Sequence, residues 1–218
     1  MDRQRAAHEL CAVGRSLFER GYAHATAGNI SHRVDGGVLI TPTNACLGTL
    51  DPAQLAFVDD AGVQHSGEPA SKTLAAHRRV YAAAPDARCV IHTHSTHLVQ
   101  LTLQGVWQPE DIVPPITPYF VMKVGHVPLV PYLRPGDPLA AEAVVQHIAR
   151  FAARGTPIRA VVFERLGPLV WHGSARQASA TLEELEETAR LWLACQCRVA
   201  PLSPAQIDEL RRVFGAAW

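Results

Sequence analysis

What this chain lacks narrows the field first. It carries no net charge, since 20 Lys and Arg are balanced by 20 Asp and Glu, and its pI is ≈ 7.2. No basic stripe runs through it, so neither nucleic acid nor an anionic membrane surface fits as its main partner. No apolar run approaches the roughly 18 residues that cross a bilayer. The start, MDRQRAAHEL, has none of the apolar core of a secretory leader. Its cysteines (Cys11, Cys46, Cys89, Cys195 and Cys197) are odd in number and include no CxxC pair. That fits reduced thiols in a cytoplasmic protein. There is no internal repeat and no low-complexity block. What remains is a globular composition, 48% hydrophobic and 18% charged over 218 residues, enough for a sizeable core in one domain spanning 1–218.

The pattern along the chain mixes helices with hairpins. Apolar spacing predicts a helix over 4–20, ended at Gly21. "GNISHRVDGGVLITPT" reads as two strands joined at Asp35-Gly36-Gly37. A helix is expected over 71–84, with Ser71 as its cap and Pro85 as its stop. A strand is expected at 88–94 and a short helix at 96–103. An extended piece lies around 126–132 and an amphipathic helix over 137–153. "IRAVVFE" and "PLVWHG" form a strand pair around Gly167-Pro168. A long helix follows over 175–198, its acidic run 183–187 read as a solvated face. Cys195 and Cys197 read as helix packing, because i,i+2 residues do not share a helix face. The last helix, 203–214, is signalled by Ser203-Pro204. Together these predict an α/β or α+β domain, a central sheet covered by helices.

"VIHTHSTH" (90–97) concentrates three of the 11 histidines. Side chains at i and i+2 of a strand share a face, so His92 and His94 project together. Two readings stay open: a pair of metal ligands, or a pair of hydrogen-bonded core histidines. His97 falls past the strand end and reads as a helix-start residue at the mouth of a cleft. A catalytic zinc site takes three protein ligands and keeps one open position, so a third ligand must come from elsewhere.

Two other stretches suit an anion. "TAGNIS" carries Gly28-Asn29 and "TPTN" carries Thr41 and Thr43, small and hydroxyl residues whose turns can present N–H groups. "GEPASKT" leads into a helix start, with its unpaired N–H groups, at Ser71. Lys72 there opposes the helix dipole by about 0.3–1 kcal/mol, a sign that a bound anion would reverse. The alternative is a solvated surface lysine. Tyr119, by itself, reads as a packing aromatic between Pro118 and Phe120.

In order, "TAGNIS", "ITPT", "EPASK…H", "VIHTHS", "TPYFVMKVGHVPLVPY", "GPLVWHG" and "LEELEETARL" resemble the class II aldolase/adducin family over nearly the whole chain. "PTNACLGTLDP", "HSTH" and "TPYFVMKVGHVPLVPYLRPGDP" are most similar to its 3-oxo-tetronate 4-phosphate decarboxylase branch. The resemblance implies a three-layer fold, with a nine-stranded, mostly antiparallel sheet and helices on both sides. It implies a homotetramer with sites at subunit interfaces, and a zinc ion that polarises a carbonyl. Gly28, Asn29, Thr43 and Ser71 match phosphate-binding positions, with Asn44 standing where the loop has glycine. His92 and His94 match two zinc ligands. Tyr119 matches a proton donor that reaches the site of a neighbouring subunit. Lys72 matches a branch lysine that would contact a substrate anion or carboxylate.

Two departures from that pattern bear on chemistry. Leu166 occupies the position of the third zinc histidine, and leucine cannot ligate. Thr73 replaces the acid/base glutamate. Glu164, His172, His97, His126 and Glu68 are the substitutes the sequence offers for the lost ligand. Decarboxylation needs no base to remove a proton, so Thr73 damages an aldolase or epimerase more than a decarboxylase. The expected function is therefore a metal-dependent decarboxylase of a small, phosphorylated 3-oxo sugar acid. The alternatives are an aldolase, epimerase or dehydratase of the same family, or a catalytically degenerate adducin-like scaffold.

Overall fold

The computed structural model describes residues 2–218. Eight strands form one sheet in the order β4-β3-β2-β1-β5-β8-β7-β6. They are β1 (Asn29–Val34), β2 (Gly37–Ile40), β3 (Ala56–Asp59), β4 (Gln64–Ser66), β5 (Cys89–His92), β6 (Leu129–Val130), β7 (Ala160–Phe163) and β8 (Gly167–His172). All neighbours are antiparallel except β6 and β7. The resemblance implied nine strands; the described residues form eight. Helices α1 (Arg3–Glu19), α2 (Leu74–Ala83), α3 (Thr96–Gln104), α4 (Pro118–Lys123), α5 (Pro138–Ala153), α6 (Ala175–Ala194) and α7 (Pro204–Phe214) complete the fold. Among the described residues no helix is long and apolar enough to cross a membrane.

Strand alternation sorts the core into two layers. Cys89, Ile91, Val162 and Val170 join the cluster that holds Leu10 and Leu17 of α1, Leu98 of α3 and Leu182 of α6. Val90, Val161, Leu169 and Trp171 face the other way, onto Val80 and Tyr81 of α2 and Val144 and Ile148 of α5. Each strand interior is thus apolar on both faces, as a sheet covered on both sides requires. His92, two residues after Val90, points to the α2/α5 side.

The helix ends show why several boundaries were readable. Ser203 and Gln206 form a capping box with Pro204 at the first turn of α7, and Asp137 caps α5 ahead of Pro138. The helix expected over 71–84 starts later, at Leu74, and its cap position is Thr73, which makes no side-chain cap bond. The Ser71 hydroxyl instead pairs with Thr73 Oγ1 at 3.0 Å. α6 stops at Ala194 because Gln196 and Cys197 turn left-handed, at φ 56° and 57°. The acidic run is not a uniformly solvated face. Glu186 is 3% exposed and accepts the backbone N–H groups of His97 and Leu98 at 2.8 and 3.0 Å.

Candidate functional site

β5 ends at His92, so His94 lies in the following turn and not on the strand. The two rings still meet. His92 Nδ1 lies 2.8 Å from the Pro168 carbonyl oxygen, which can only accept, so Nδ1 donates and Nε2 keeps its lone pair. His94 has no hydrogen-bond partner among the described residues. Two imidazoles on one tetrahedral ion, with metal–nitrogen bonds of about 2.0–2.1 Å, bring their ring centroids to about 5 Å apart. His92 and His94 are 5.1 Å apart and inclined by 63°. Both rings are held neutral, the state that ligates. Burial, then repulsion from His94, pushes His92 down to about 4. Burial, then His24, lowers His94.

The loops around this pair are pressed onto it. Gly28 has φ +96°, and a Cβ there would stand 2.7 Å from the His92 carbonyl oxygen, so only glycine fits. Asn29 pairs with His92 across β1 and β5, and its buried Oδ1 has no partner. Gly167, at φ +117°, leaves no room for a side chain against the Thr93 backbone. This seats the β7–β8 turn, and with it Leu166, beside the site. On the α2/α5 side a cleft of ≈ 610 Å³ is lined by Lys72, Thr73, His77, His92, Arg134 and Leu166, among others. Lys72 has no hydrogen-bond or ion-pair partner among the described residues.

The other expected residues distribute unevenly. Asn44 adopts φ 60°, the left-handed turn that glycine would otherwise supply. Thr43 spends its N–H on the Pro69 carbonyl at 2.9 Å and its hydroxyl on the Ala70 carbonyl at 2.9 Å, which stitches this loop to the 67–73 segment. Tyr119 does not line the cleft; it is 61% exposed at the start of α4.

Each substitute for the third ligand is engaged elsewhere. Glu164 accepts the Tyr132 N–H at 2.9 Å. His172 pairs with Cys89, three residues down β5 from His92. His97 donates to Glu186 at 2.9 Å. His126 bonds Asp111 and stacks on Trp218. Glu68 accepts from Gln54 at 3.0 Å. Among the described residues no three His, Cys, Asp or Glu side chains are grouped to hold an ion. The donors therefore fit a metal as a correctly spaced imidazole pair that still needs a third partner.

His77 is a cleft residue to which the sequence reading assigned no role. Its position four residues after Thr73, on the same helix face, was the available signal. Its Nδ1 meets Ser31 Oγ at 2.8 Å, Ser31 Oγ meets the Tyr81 hydroxyl at 2.8 Å, and Nε2 is buried without a partner. Burial, reinforced by His92, pushes it down to about 3. In the unfolded chain it takes a proton near pH 6.5, so below that value the unfolded state binds more protons than the folded one. Stability should hold above pH 6.5 and fall steadily as the pH drops toward 3. The contribution of His77 is about 2 kcal/mol by pH 5. Urea denaturation of the wild type and His77→Gln between pH 7.5 and 5 measures it: the variant should lose less stability over that range.

Comparison with known proteins gives matches over nearly the whole chain. Residues 8–193 match the family model described as Class II Aldolase and Adducin N-terminal domain. A relative from Cupriavidus necator, named 3-oxo-tetronate 4-phosphate decarboxylase, is 52% identical over 96% of each chain. One of the same name from Escherichia coli K12 is 40% identical over 93% of each. The crystal structure of Escherichia coli YgbL superposes with a TM-score of 0.87 at 38% identity, covering 96% of this chain and 99% of that one. A sheet that carries paired imidazoles at the end of its fifth strand, and a family match across most of its length, lead to one conclusion: the chain belongs to the class II aldolase and adducin family.

Proposed function

We propose that the protein is a lyase that decarboxylates a small, phosphorylated 3-oxo sugar acid, 3-oxo-tetronate 4-phosphate by analogy with its relatives, using a divalent ion, zinc in this reading, held by His92 and His94. One observation carries the choice of reaction. The cleft joins the unpaired Lys72 ammonium to His92 but offers threonine, not a carboxylate, at position 73. Such a cleft can bind an anion and accept electron density, and position 73 offers no carboxylate base of the kind that aldol chemistry or epimerisation in this family uses. A bound divalent ion supplies an electrophile beside the 3-oxo group. The protein's own groups do the rest. Lys72 holds the anionic end of the substrate, the Gly28-Asn29 loop and the turn at Ser71 bind the phosphate with Thr43 and Asn44 beside them, and the apolar cleft wall keeps water back. The bond to the carboxyl carbon breaks, carbon dioxide leaves, and its electron pair passes into the neighbouring carbonyl. The carbon left behind must then gain a proton. The exposure of Tyr119 suits a donor that serves the site of a neighbouring subunit in a homotetramer.

The test is carbon dioxide release from 3-oxo-tetronate 4-phosphate, with retro-aldol products monitored in parallel. Release of a ketose phosphate and carbon dioxide supports the reading. Aldehyde products point to an aldolase, and no product with no bound metal points to a scaffold. Lys72→Met should lower kcat/KM by about ten- to a hundred-fold, the worth of one charge-assisted hydrogen bond. An unchanged kcat/KM would place Lys72 outside the substrate.

A further inference from the structure

We infer that His77 is a substrate-binding residue of the cleft: its Nε2 accepts a hydrogen bond from the hydroxyl on carbon 2 of the substrate, the carbon between the carboxyl and the 3-oxo group. The inference rests on the decarboxylase reading above and deepens it. His77 is fully buried yet lines the cleft with Lys72 and His92. Its Nε2 has no hydrogen-bond partner. An unpaired buried polar atom is costly, and an apolar side chain would fill the same space without that cost. The ring does not sit apart from the site. Ser31, which holds its Nδ1, stands opposite Val90 across β1 and β5, and Asn29 stands opposite His92. Ser31 and His92 therefore share one side of the sheet, and a charge on His92 is felt at His77.

The bonds on the far side of the ring decide what Nε2 can do. His77 Nδ1 meets Ser31 Oγ at 2.8 Å, Ser31 Oγ meets the Tyr81 hydroxyl at 2.8 Å, and that hydroxyl meets the Arg88 carbonyl at 3.4 Å. Each hydroxyl has one proton, and the carbonyl can only accept. Three bonds need three protons, so Tyr81 donates to Arg88, Ser31 to Tyr81, and His77 Nδ1–H to Ser31. That uses the one proton of the neutral ring and leaves a lone pair on Nε2. A lone pair repels carboxylate and phosphate oxygens and calls for a donor. The carbon-2 hydroxyl is the only hydroxyl on carbon that a 3-oxo-tetronate 4-phosphate carries. It lies between the groups already placed, with Lys72 on the anionic end and the 3-oxo group toward His92. Carbon dioxide leaves readily only when its bond stands upright to the plane of the oxo group, so that the electron pair enters the carbonyl. A hydroxyl pinned by Nε2 fixes that rotation. His77 transfers no proton; it binds and orients.

The experiment compares carbon dioxide release from 3-oxo-tetronate 4-phosphate and from its 2-deoxy analogue, 3-oxo-4-phosphooxybutanoate, each corrected for the enzyme-free rate. The ratio of the two kcat/KM values is the readout, in the metal-loaded wild type, His77→Leu and His77→Gln. The ratio does not depend on how much of a sample is folded, so lost stability cannot imitate the effect. The preference for the hydroxylated substrate should fall about ten-fold in His77→Leu, the worth of one hydrogen bond. It should fall less in His77→Gln, whose Oε1 keeps an acceptor. An unchanged ratio in His77→Leu overturns the proposal. Ring-nitrogen NMR of histidine-labelled wild type, with His77 assigned from His77→Gln, tests it without turnover. His77 should be the Nδ1–H tautomer, and its Nε2 signal should shift on adding tetronate 4-phosphate, the reduced and unreactive substrate. An Nε2–H tautomer, or an unmoved signal, overturns the proposal. If the wild type releases carbon dioxide and these tests fail, only the role of His77 falls. If it releases none, the decarboxylase reading falls, and the Nε2 shift alone decides whether His77 binds the hydroxyl.

Discussion

Replacing His94 with alanine should reduce turnover by about 10³-fold or more while leaving the fold nearly as stable as before. His94 makes no hydrogen bond and is only partly buried, so its removal takes little from packing. What it takes is one of two correctly spaced nitrogens. His92→Ala should cost turnover equally but also stability, because it empties a buried position and leaves the Pro168 carbonyl only the Thr93 N–H at 3.3 Å in place of its closer donor at 2.8 Å. The lost hydrogen bond alone costs about 0.5–1.5 kcal/mol. The pair of variants thus separates function from folding: equal losses of activity and metal, unequal losses in urea. Metal content and turnover that survive both substitutions would show that the imidazole pair is a packed remnant.

How much of this site could be read in the sequence follows from the range of the interactions involved. The i,i+2 spacing of His92 and His94 promised a shared face on a strand, and the rings do meet. The strand, however, stops at His92, so the meeting depends on the 93–95 turn, whose Thr93 and Ser95 hydroxyls bond each other at 2.6 Å. The cap of α7 was visible because Ser203-Pro204 acts within a few residues. Local signals failed elsewhere. β4 is exposed at all three positions, so it shows no alternation, and α4 is six residues long, too short for a periodic pattern. Ser71 looked like a cap, but its hydroxyl is taken by Thr73. The contact of the His24 ring with His94, at 6.4 Å, carried no sequence signal at all. Only the Ser95–Tyr22 bond and the Gly28 contact bring its loop to His94, and both are long-range.

Glu186 shows the same limit at higher energetic stakes. In the run 183–187 it looks like the other glutamates, yet it alone of the four is buried, and its carboxylate ends α3 from outside the helix. Ser95, at the cap position of α3, makes no cap bond, since its hydroxyl goes to Tyr22. Glu186 takes over the two free N–H groups and also holds His97 Nδ1 at 2.9 Å. A negative charge at a helix N-terminus is favourable, and burial among three donors strengthens each bond. Glu186→Ala leaves those three donors unpaired and should cost about 3–5 kcal/mol, lowering Tm by about 10 °C. Glu186→Gln keeps an acceptor oxygen and should lose roughly half as much. Glu184→Ala is the control: burial and the charge of Glu187 push its carboxyl up, so removing it should be neutral or mildly stabilising. The effect should also reach the site, since His94 stands two residues before the start of α3 at Thr96. Thermal melts and metal titration of the three variants should therefore rank together, with Glu186→Ala weakest in both. Weakened metal binding at unchanged Tm, or the reverse, would show that α3 does not position His94.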